Sequence, residues 1–356
     1  MKKMTNRPTI LPPEWHPQEF VQLTWPHKDT DWAPYLDEIT DTMTEMAEAI
    51  TRYEDLVIAS QYPDDTRNAL LKRLSAEQMA RVTIIECPTN DTWARDHGGI
   101  TLLEIDKSQN HKTTKCLDFR FNGWGDKFEA DKDNLITRRL HEAGVIKGEL
   151  VDNNDFVLEG GSIESDGEGT IFTTSQCLMA PNRNQPLSQE EVEEELKKRL
   201  HADRIVWLNH GNLIGDDTDG HIDTTVRVCP ENTLLYVRSM DETDEQHEDF
   251  CALQDELLGL KTRDGDIYRL WGLPMPRPCY YDGERLPATY ANFLVINGAV
   301  LVPTYNQPDL DEEACFSIGC AFPGRDIIPI DSRVIIRQHG SIHCLTMQYP
   351  DLGDRC

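Results

Sequence analysis

The amino-acid sequence predicts an α/β protein built from five similar strand–helix–strand units. Short runs rich in β-branched and apolar residues alternate with longer stretches of helical periodicity. The first strand of each unit begins near residues 56, 117, 170, 234 and 299, so successive units start 53 to 65 residues apart. Similar units at similar spacing indicate an internal repeat.

Each unit is predicted from its own pattern. The first has a strand at 56–60, a helix at 66–74 and a strand at 82–87. The others repeat this order at 117–122, 132–143 and 149–153; at 170–175, 189–200 and 204–208; at 234–238, 248–258 and 266–270; and at 299–305, 310–322 and 326–331. Ser188 and Glu191 predict a capping box for the third helix. A further helix is predicted over 35–51, with the apolar stripe Leu36, Ile39, Met43, Met46 and Ile50.

Two architectures fit these units. A further strand lies between consecutive units, and closure into a radial array with the helices outside would leave little exposed sheet edge. An open α/β sheet also alternates strands and helices, so periodicity alone leaves both readings open. We expect a single domain over 1–356, because no linker or low-complexity segment divides the chain.

The chain is strongly acidic, with a formal net charge of −28. Phosphate binding needs a basic face, so neither nucleic acid nor an anionic membrane surface is expected as a partner. A cationic substrate is compatible with this charge. No apolar run approaches the ~20 residues of a membrane span, and residues 1–13 contain no secretory h-region. We therefore expect a cytoplasmic protein whose ten scattered cysteines are reduced.

Four short segments are unusually polar and glycine-rich, and each follows the last strand of a unit. They span 92–99, 158–161, 216–223 and 339–344, after the first, second, third and fifth units. Equivalent positions of a radial array converge on its axis, so we expect these segments to meet. The converging side chains are Trp93, Asp96, Glu159, His221, Asp223 and Cys344.

These residue types suit attack by a thiol on a cationic carbon. Cys344 can act as a nucleophile once it is a thiolate, and His221 can assist it and protonate a leaving group. The three carboxylates can bind a guanidinium and are expected to keep His221 protonated. Trp93 can stack on a planar guanidinium. A peptide carbonyl fits less well, because its developing oxyanion would face carboxylates.

Other readings of the same residues stay open at this stage. Asp96 could be a turn residue, and Glu159 could precede a tight turn only. His221 and Asp223, with His210 and nearby aspartates, could bind a metal, although EF-hand and HExxH spacings are missing. The convergence of all the segments favours the catalytic reading, for which no cofactor is needed.

The motifs also carry a family resemblance. They read Asn-Asp-Thr-Trp-Ala-Arg-Asp at 90–96, Phe-Asn-Gly-Trp at 121–124, Leu-Glu-Gly-Gly at 158–161, Gly-His-Ile-Asp at 220–223 and Ser-Ile-His-Cys at 341–344. Together they resemble the agmatine deiminase and bacterial peptidylarginine deiminase family of the guanidino-group-modifying superfamily, over nearly the whole chain. The resemblance implies a pentein fold, which is a five-bladed α/β propeller of ββαβ repeats with pseudo-fivefold symmetry.

The resemblance also implies roles for the site residues. Cys344 matches the nucleophile that forms an amidino-cysteine intermediate, and His221 matches the general acid and base. Glu159 matches the acid that orients the histidine and contacts the guanidinium. Asp96 and Asp223 match the pair that holds the guanidinium nitrogens. Trp93 and Trp124 match aromatic positions near the pocket.

The implied activity is hydrolysis of agmatine to N-carbamoylputrescine and ammonia, with a small cationic guanidino compound as the substrate. Deimination of peptidyl-arginine or free arginine is the nearest alternative, and a catalytically silent polyamine- or metal-binding protein is a distant one. The family commonly has Gly-Gly-Gly-Asn before Ile-His-Cys, whereas this chain has Gln-His-Gly-Ser at 338–341. Asp217 could bind the far end of the substrate, and the proline-rich loop at 272–291 could cover the pocket. A homodimer would be the commonest assembly.

Overall fold

The computed structural model describes residues 9–106 and 111–353. Cys356 and the first eight residues, which bear on the expectation about export, lie outside these ranges. The strands are β1 (Thr9–Ile10), β2 (Gln18–Thr24), β3 (Asp55–Ser60), β4 (Val82–Glu86), β5 (Ile100–Asp106), β6 (His111–Arg120), β7 (Glu149–Val157), β8 (Ile163–Ser165), β9 (Thr170–Thr174), β10 (Arg204–Leu208), β11 (Val226–Cys229), β12 (Thr233–Arg238), β13 (Arg269–Pro274), β14 (Cys279–Tyr281), β15 (Glu284–Leu286), β16 (Leu294–Ile296), β17 (Ala299–Thr304), β18 (Asp326–Asp331) and β19 (Thr346–Pro350).

Helices join the parallel strands. The longer ones are α1 (Leu36–Thr51), α2 (Pro63–Leu70), α3 (Ile136–Glu142), α4 (Gln189–Leu200), α5 (His247–Gly259) and α6 (Pro308–Ala321). Short helical turns span Ala33–Tyr35, Ala76–Met79, Ala94–His97, Gly123–Asp126, Asp133–Leu135, Gly160–Ser162, Ser175–Leu178, Ile222–Thr224 and Ile335–Gln338. The capping box of Ser188 and Glu191 is present at the start of α4. The stripe predicted for α1 is buried except for Leu36, which is half-buried.

The strands form separate sheets, so the open-sheet reading is wrong. Their orders are β1-β5-β6-β7, β10-β9-β8, β11-β12-β13, β16-β17-β18 and β19-β2-β3-β4, with β14-β15 as a separate hairpin. In four of the five larger sheets, two parallel strands flank a helical crossover and a further strand pairs antiparallel with the first of them. The sheet β19-β2-β3-β4 has three parallel strands joined by α1 and α2, and β19 pairs antiparallel with β2. The fold is therefore mixed α/β, with the repeating unit that the sequence predicts.

Two strands depart from the predicted bounds. The first strand of the second unit begins at 111 rather than 117, because its polar residues pair with β5 although they lack an apolar pattern. The second strand of the fourth unit begins at Arg269, and Ile267 before it is exposed. A tight turn closed by the Lys261–Ile267 bridge occupies the residues in between. No helix in the described ranges is long and apolar enough to cross a lipid bilayer.

Candidate active site

The four polar segments meet at the ends of four units, as the sequence predicts. They approach one another most closely at Gly161, where an added Cβ would lie 2.6 Å from His221 Nδ1, 2.8 Å from Asp96 Oδ1 and 3.1 Å from Asp223 Oδ2. The site therefore needs glycine at this position. The Gly161 amide also donates to Asp96 Oδ1 at 3.1 Å, and the Cys344 sulfur lies 3.7 Å from Asp223 Oδ2.

Asn292 holds the segment that contains Cys344. Its Oδ1 accepts from the His343 amide at 3.0 Å and from the Cys344 amide at 3.3 Å, and its Nδ2 lies 3.2 Å from the Cys344 sulfur. Asn292 precedes β16 and supplies the contribution of the fourth unit, for which the sequence offers no motif. The only sequence signal for Asn292 is its position: like the other site residues, it comes just before a strand that pairs antiparallel with its neighbour.

The environment of Cys344 keeps its thiol protonated. Burial raises the pKa of the thiol well above its usual value, and the carboxylates of Asp223 and Asp96 raise it further. Hydrogen bonds from Asn292 and from the Ser341 backbone oppose this rise. Because only a thiolate is a good nucleophile, Cys344 is at rest until something offsets the carboxylate charges.

The two aspartates of the site differ in protonation. Burial and the nearby Asp223 raise the pKa of Asp96 well above its usual value, despite a hydrogen bond from Trp124 Nε1 to Asp96 Oδ2 at 2.9 Å. Burial also acts to raise the pKa of Asp223, but a 2.7 Å hydrogen bond with His343 brings it below its usual value. Asp223 is therefore the ionised member of the pair.

Arg183 is a partner of Glu159 that the sequence analysis did not identify. Both side chains are fully buried, and Arg183 Nε donates to Glu159 Oε1 at 2.8 Å. Burial raises the pKa of Glu159, and the charge of Arg183 opposes that rise. Arg183 also bonds Asp219 Oδ2 at 2.8 Å and the Thr218 carbonyl at 2.9 Å.

His221 is neutral, so the expectation that the carboxylates keep it protonated is wrong. Burial lowers the pKa of His221 to about 3, and this outweighs the attraction of Asp223. Within the described part of the chain, neither ring nitrogen has a hydrogen-bond partner. Glu159, the expected orienting acid, has a carboxylate oxygen within 4.8 Å of the His221 ring but makes its hydrogen bond to Arg183.

A small cavity that is partly open to solvent reaches Cys344. Trp93 and Trp124 form its walls, in agreement with their predicted places near the pocket. Trp93 packs against Gly340 so closely that a Cβ there would lie 2.1 Å from the indole ring. Trp124 has a left-handed backbone, with φ of 56°, in the turn at Gly123–Asp126.

The outer part of the cavity is acidic. Asp31, Asp91 and Asp217 line it, together with Gln338 and His339 of the segment that departs from the family pattern. His339 Nδ1 lies 3.7 Å from Asp217 Oδ2. Among the described residues that line this cavity, none comes from the predicted covering loop at 272–291, whose hairpin instead borders a separate groove that includes Arg337.

The metal cluster that the sequence left open is not assembled around His210. That histidine is 44% exposed and pairs with Asp249 at 2.9 Å, away from His221. Glu159, Cys177 and His221 do have candidate ligand atoms within 4.8 Å of one another. Of these three residues, Glu159 and His221 also belong to the set expected to act on a guanidinium.

The chain is similar to known deiminases over nearly its whole length. The profile of the Porphyromonas-type peptidyl-arginine deiminase family matches residues 10–350. The crystal structure of a proposed arginine deiminase from Porphyromonas gingivalis is similar to this protein. It is 50% identical over 96% of this chain and 98% of its own, with a TM-score of 0.89. A C. jejuni agmatine deiminase, solved as a cysteine-to-serine variant with substrate bound, is 37% identical over 96% of both chains, with a TM-score of 0.86. The agmatine deiminase of Pseudomonas putida is 29% identical over 98% of this chain and 99% of its own.

Proposed function

The chain belongs to the Porphyromonas-type peptidyl-arginine deiminase family, and from that membership we propose that it is an agmatine deiminase, which hydrolyses agmatine to N-carbamoylputrescine and ammonia. The observation that carries the proposal is the meeting of the Cys344 thiol, the neutral His221 imidazole and the Asp96–Asp223 pair. Of these residues, Cys344 and Asp96 line an acidic cavity, and His221 and Asp223 are buried beside them. Agmatine deiminases of similar sequence and structure support the choice of substrate.

Binding of the cationic substrate would activate the nucleophile. A guanidinium between Asp96 and Asp223 would donate a charge-assisted hydrogen bond to the ionised Asp223 and a further hydrogen bond to Asp96, and its positive charge would offset the negative charge that holds the Cys344 pKa high. The thiol proton passes to neutral His221, and the sulfur adds to the guanidinium carbon. The guanidinium whose positive charge stabilises the thiolate is also the electrophile. The thiolate therefore forms when the substrate is bound.

The remaining steps return each group to its starting state. His221 donates its proton to the departing nitrogen, ammonia leaves, and the carbon stays bound to sulfur as an amidino-cysteine. His221 then takes a proton from water, which attacks that carbon. The C–S bond breaks, His221 returns its proton to the Cys344 sulfur, and the hydroxyl proton of the adduct passes to solvent, where ammonia takes it up. The products are a substituted urea and ammonium. Covalent catalysis thus divides one difficult substitution into two easier ones, and no cofactor takes part. The second carboxylate oxygen of Glu159, which has no partner among the described residues, would accept a hydrogen bond from His221 once the imidazole is protonated.

The acidic outer cavity favours agmatine over arginine. The terminal ammonium of agmatine would face Asp217 and the neighbouring Asp31, whereas arginine would bring its α-carboxylate to the same carboxylates. Among the described residues that line the cavity, none is lysine or arginine. Trp93 and Trp124 would cover the aliphatic chain and the guanidinium face.

We also propose the architecture and setting that follow from this function. The five larger sheets would be the blades of a propeller around the site, forming one catalytic domain over 1–356. The enzyme would act in the cytoplasm on a small cationic guanidino substrate, with no nucleic acid or membrane partner, as a homodimer.

An ammonia-release screen tests the proposal. Purified protein is assayed with agmatine, free arginine, and peptides with N-terminal or C-terminal arginine, beside a Cys344→Ser control. We expect turnover of agmatine alone and no turnover by the control. Citrulline from arginine or a peptide, without activity on agmatine, would assign the alternative activity suggested by the 50% identical Porphyromonas gingivalis structure.

A further inference from the structure

A cluster of six buried ionisable groups adjoins the site and includes Asp223, and none of the six lines the substrate cavity. We call it the back cluster; it consists of Glu14, Arg95, Glu164, Asp223, Arg227 and His343. No side chain in its ion pairs is more than 11% exposed, and Arg95 as a residue is 7% exposed. It joins the catalytic site through Asp223 and through His343, the neighbour of the nucleophile.

His343 lies between two carboxylates. Its Nδ1 is 2.7 Å from Asp223 Oδ2, and its Nε2 is 3.0 Å from Glu14 Oε2. An ionised carboxylate only accepts hydrogen bonds, so both ring nitrogens must carry protons for both contacts to form. The imidazole would then be the positively charged form.

The charges of the other residues in the back cluster also favour a positively charged His343. Arg227 bonds Glu14 Oε2 and Glu164 Oε1, so those two carboxylates share one guanidinium. Glu164 Oε2 also accepts from the Val228 amide at 2.9 Å. With Arg95 included, the cluster has two permanent cations against three carboxylates, and a charged His343 makes the numbers equal. Buried charge is tolerated only when it is compensated in this way.

We propose that His343 is a positioning residue that stays protonated and holds Asp223 in its ionised form for guanidinium binding. This proposal rests on the proposed function and adds to it a residue that keeps Asp223 of the same site ionised. Asp96 serves as the internal comparison, because it is equally buried but lacks such a partner.

The pKa directions of Glu14 and Asp223 agree with the geometry, whereas burial raises the pKa of Glu164 although Arg227 and His343 oppose the rise. Burial would raise the pKa of Glu14, but Arg227 and His343 bring it well below its usual value. The pKa of Asp223 is lowered in the same way, whereas that of Asp96 is raised. The other titratable or charged groups that act on Asp223 are His221, Arg227, Arg95, Asp96, Asp216 and Cys344.

A metal ion is a weaker reading of the same residues. Glu14, Glu164 and His343 have candidate ligand atoms within 4.8 Å of one another. However, the guanidinium of Arg227 already bonds both glutamates, so a cation occupies the space that a metal would need. A second cavity borders Glu14, Arg95 and His343 and also His16, whose Nδ1 bonds the Pro17 carbonyl at 2.7 Å. His16 is therefore a suitable control.

The test combines nitrogen-15 NMR of histidine-labelled protein with the pH dependence of agmatine turnover. At pH 8 we expect one histidine with both ring nitrogens protonated, and this signal should vanish in His343→Gln. In that variant the acid limb of kcat/KM should move to higher pH by about one unit or more, because Asp223 loses its cationic partner. The rise in KM should be largest at low pH, and His16→Gln should match the wild type.

Different results would count against the role of His343 and against the proposed function. A spectrum containing only neutral imidazoles at pH 8 would overturn the proposal, as would a His343→Gln profile that coincides with the wild type. The NMR result does not depend on a variant that folds, and Glu14→Gln should move the acid limb in the same direction by a smaller amount. Wild-type protein without activity on any guanidino compound would instead count against the proposed function, while the NMR measurement would still decide the protonation of His343.

Discussion

Replacing Asn292 by aspartate changes one atom beside the Cys344 sulfur. The substituted side chain keeps the oxygen that accepts from the His343 and Cys344 amides at 3.0 and 3.3 Å, so the backbone around the nucleophile is retained. The amide nitrogen that lies 3.2 Å from the sulfur becomes a carboxylate oxygen. A hydrogen-bond donor to the thiolate is thereby exchanged for a negative charge.

The size of the effect follows from that distance. A like charge in direct contact shifts a pKa by about 1–3 units, which is about 1.4 kcal/mol per unit. The thiolate fraction of Cys344, and with it kcat for agmatine, should therefore fall about 10- to 1,000-fold. KM should not rise, because the added charge attracts the cationic substrate. Alkylation of Cys344 by iodoacetamide, followed by mass spectrometry, should slow by a similar factor.

Asn306→Asp is the matched control, because Asn306 is exposed and has a left-handed backbone that aspartate also adopts. It should leave both rates unchanged. If Asn292→Asp alkylated and turned over as fast as the wild type, the electrostatic account of the thiol would be refuted.

Two further predictions concern buried ionisable side chains. Arg183→Met should lower the free energy of unfolding by about 3–5 kcal/mol, because Glu159 loses its buried partner; denaturant unfolding should show that adding Glu159→Gln recovers most of the loss, and additive losses would contradict the pairing. His97→Gln tests a buried neutral histidine, since burial lowers the pKa of His97 to about 3. Only the unfolded wild type takes up that proton below pH 6.5, so the stability of the wild type relative to the variant should fall by about 1.4 kcal/mol per pH unit between pH 6.5 and 3. A difference that is the same at pH 7.5 and pH 5 would refute this assignment.

The repeating unit was predictable because it depends on local pattern. Apolar strands such as β3, β9 and β17 stand out between helices with clear periodicity, and α4 begins with a recognisable capping box. Sequence periodicity does not contain the pairing between strands, so it could not separate five small sheets from one open sheet. Strands with polar residues, such as the first half of β6, were missed because their pattern depends on a partner strand.

The central residues of the site were predictable because each lies in a polar, glycine-rich segment at an equivalent place in the repeat. Asn292 lacks such a segment, and its role depends on distances to the Cys344 loop that no local pattern records. The charge of His221 was wrongly predicted because counting neighbouring carboxylates omits the cost of burial, which is the larger effect. The family resemblance implies roles for these residues, whereas their protonation depends on burial that only the structure shows.

The most direct test of deimination through Cys344 is to identify the covalent intermediate. Wild-type protein is mixed with agmatine, quenched in acid during turnover and digested, and the peptide that contains Cys344 is analysed by mass spectrometry. Deimination predicts that this peptide gains the mass of agmatine less ammonia, and that Cys344→Ser protein gains nothing. An adduct on another residue, or turnover of agmatine by Cys344→Ser protein, would contradict the assignment of Cys344 as the nucleophile.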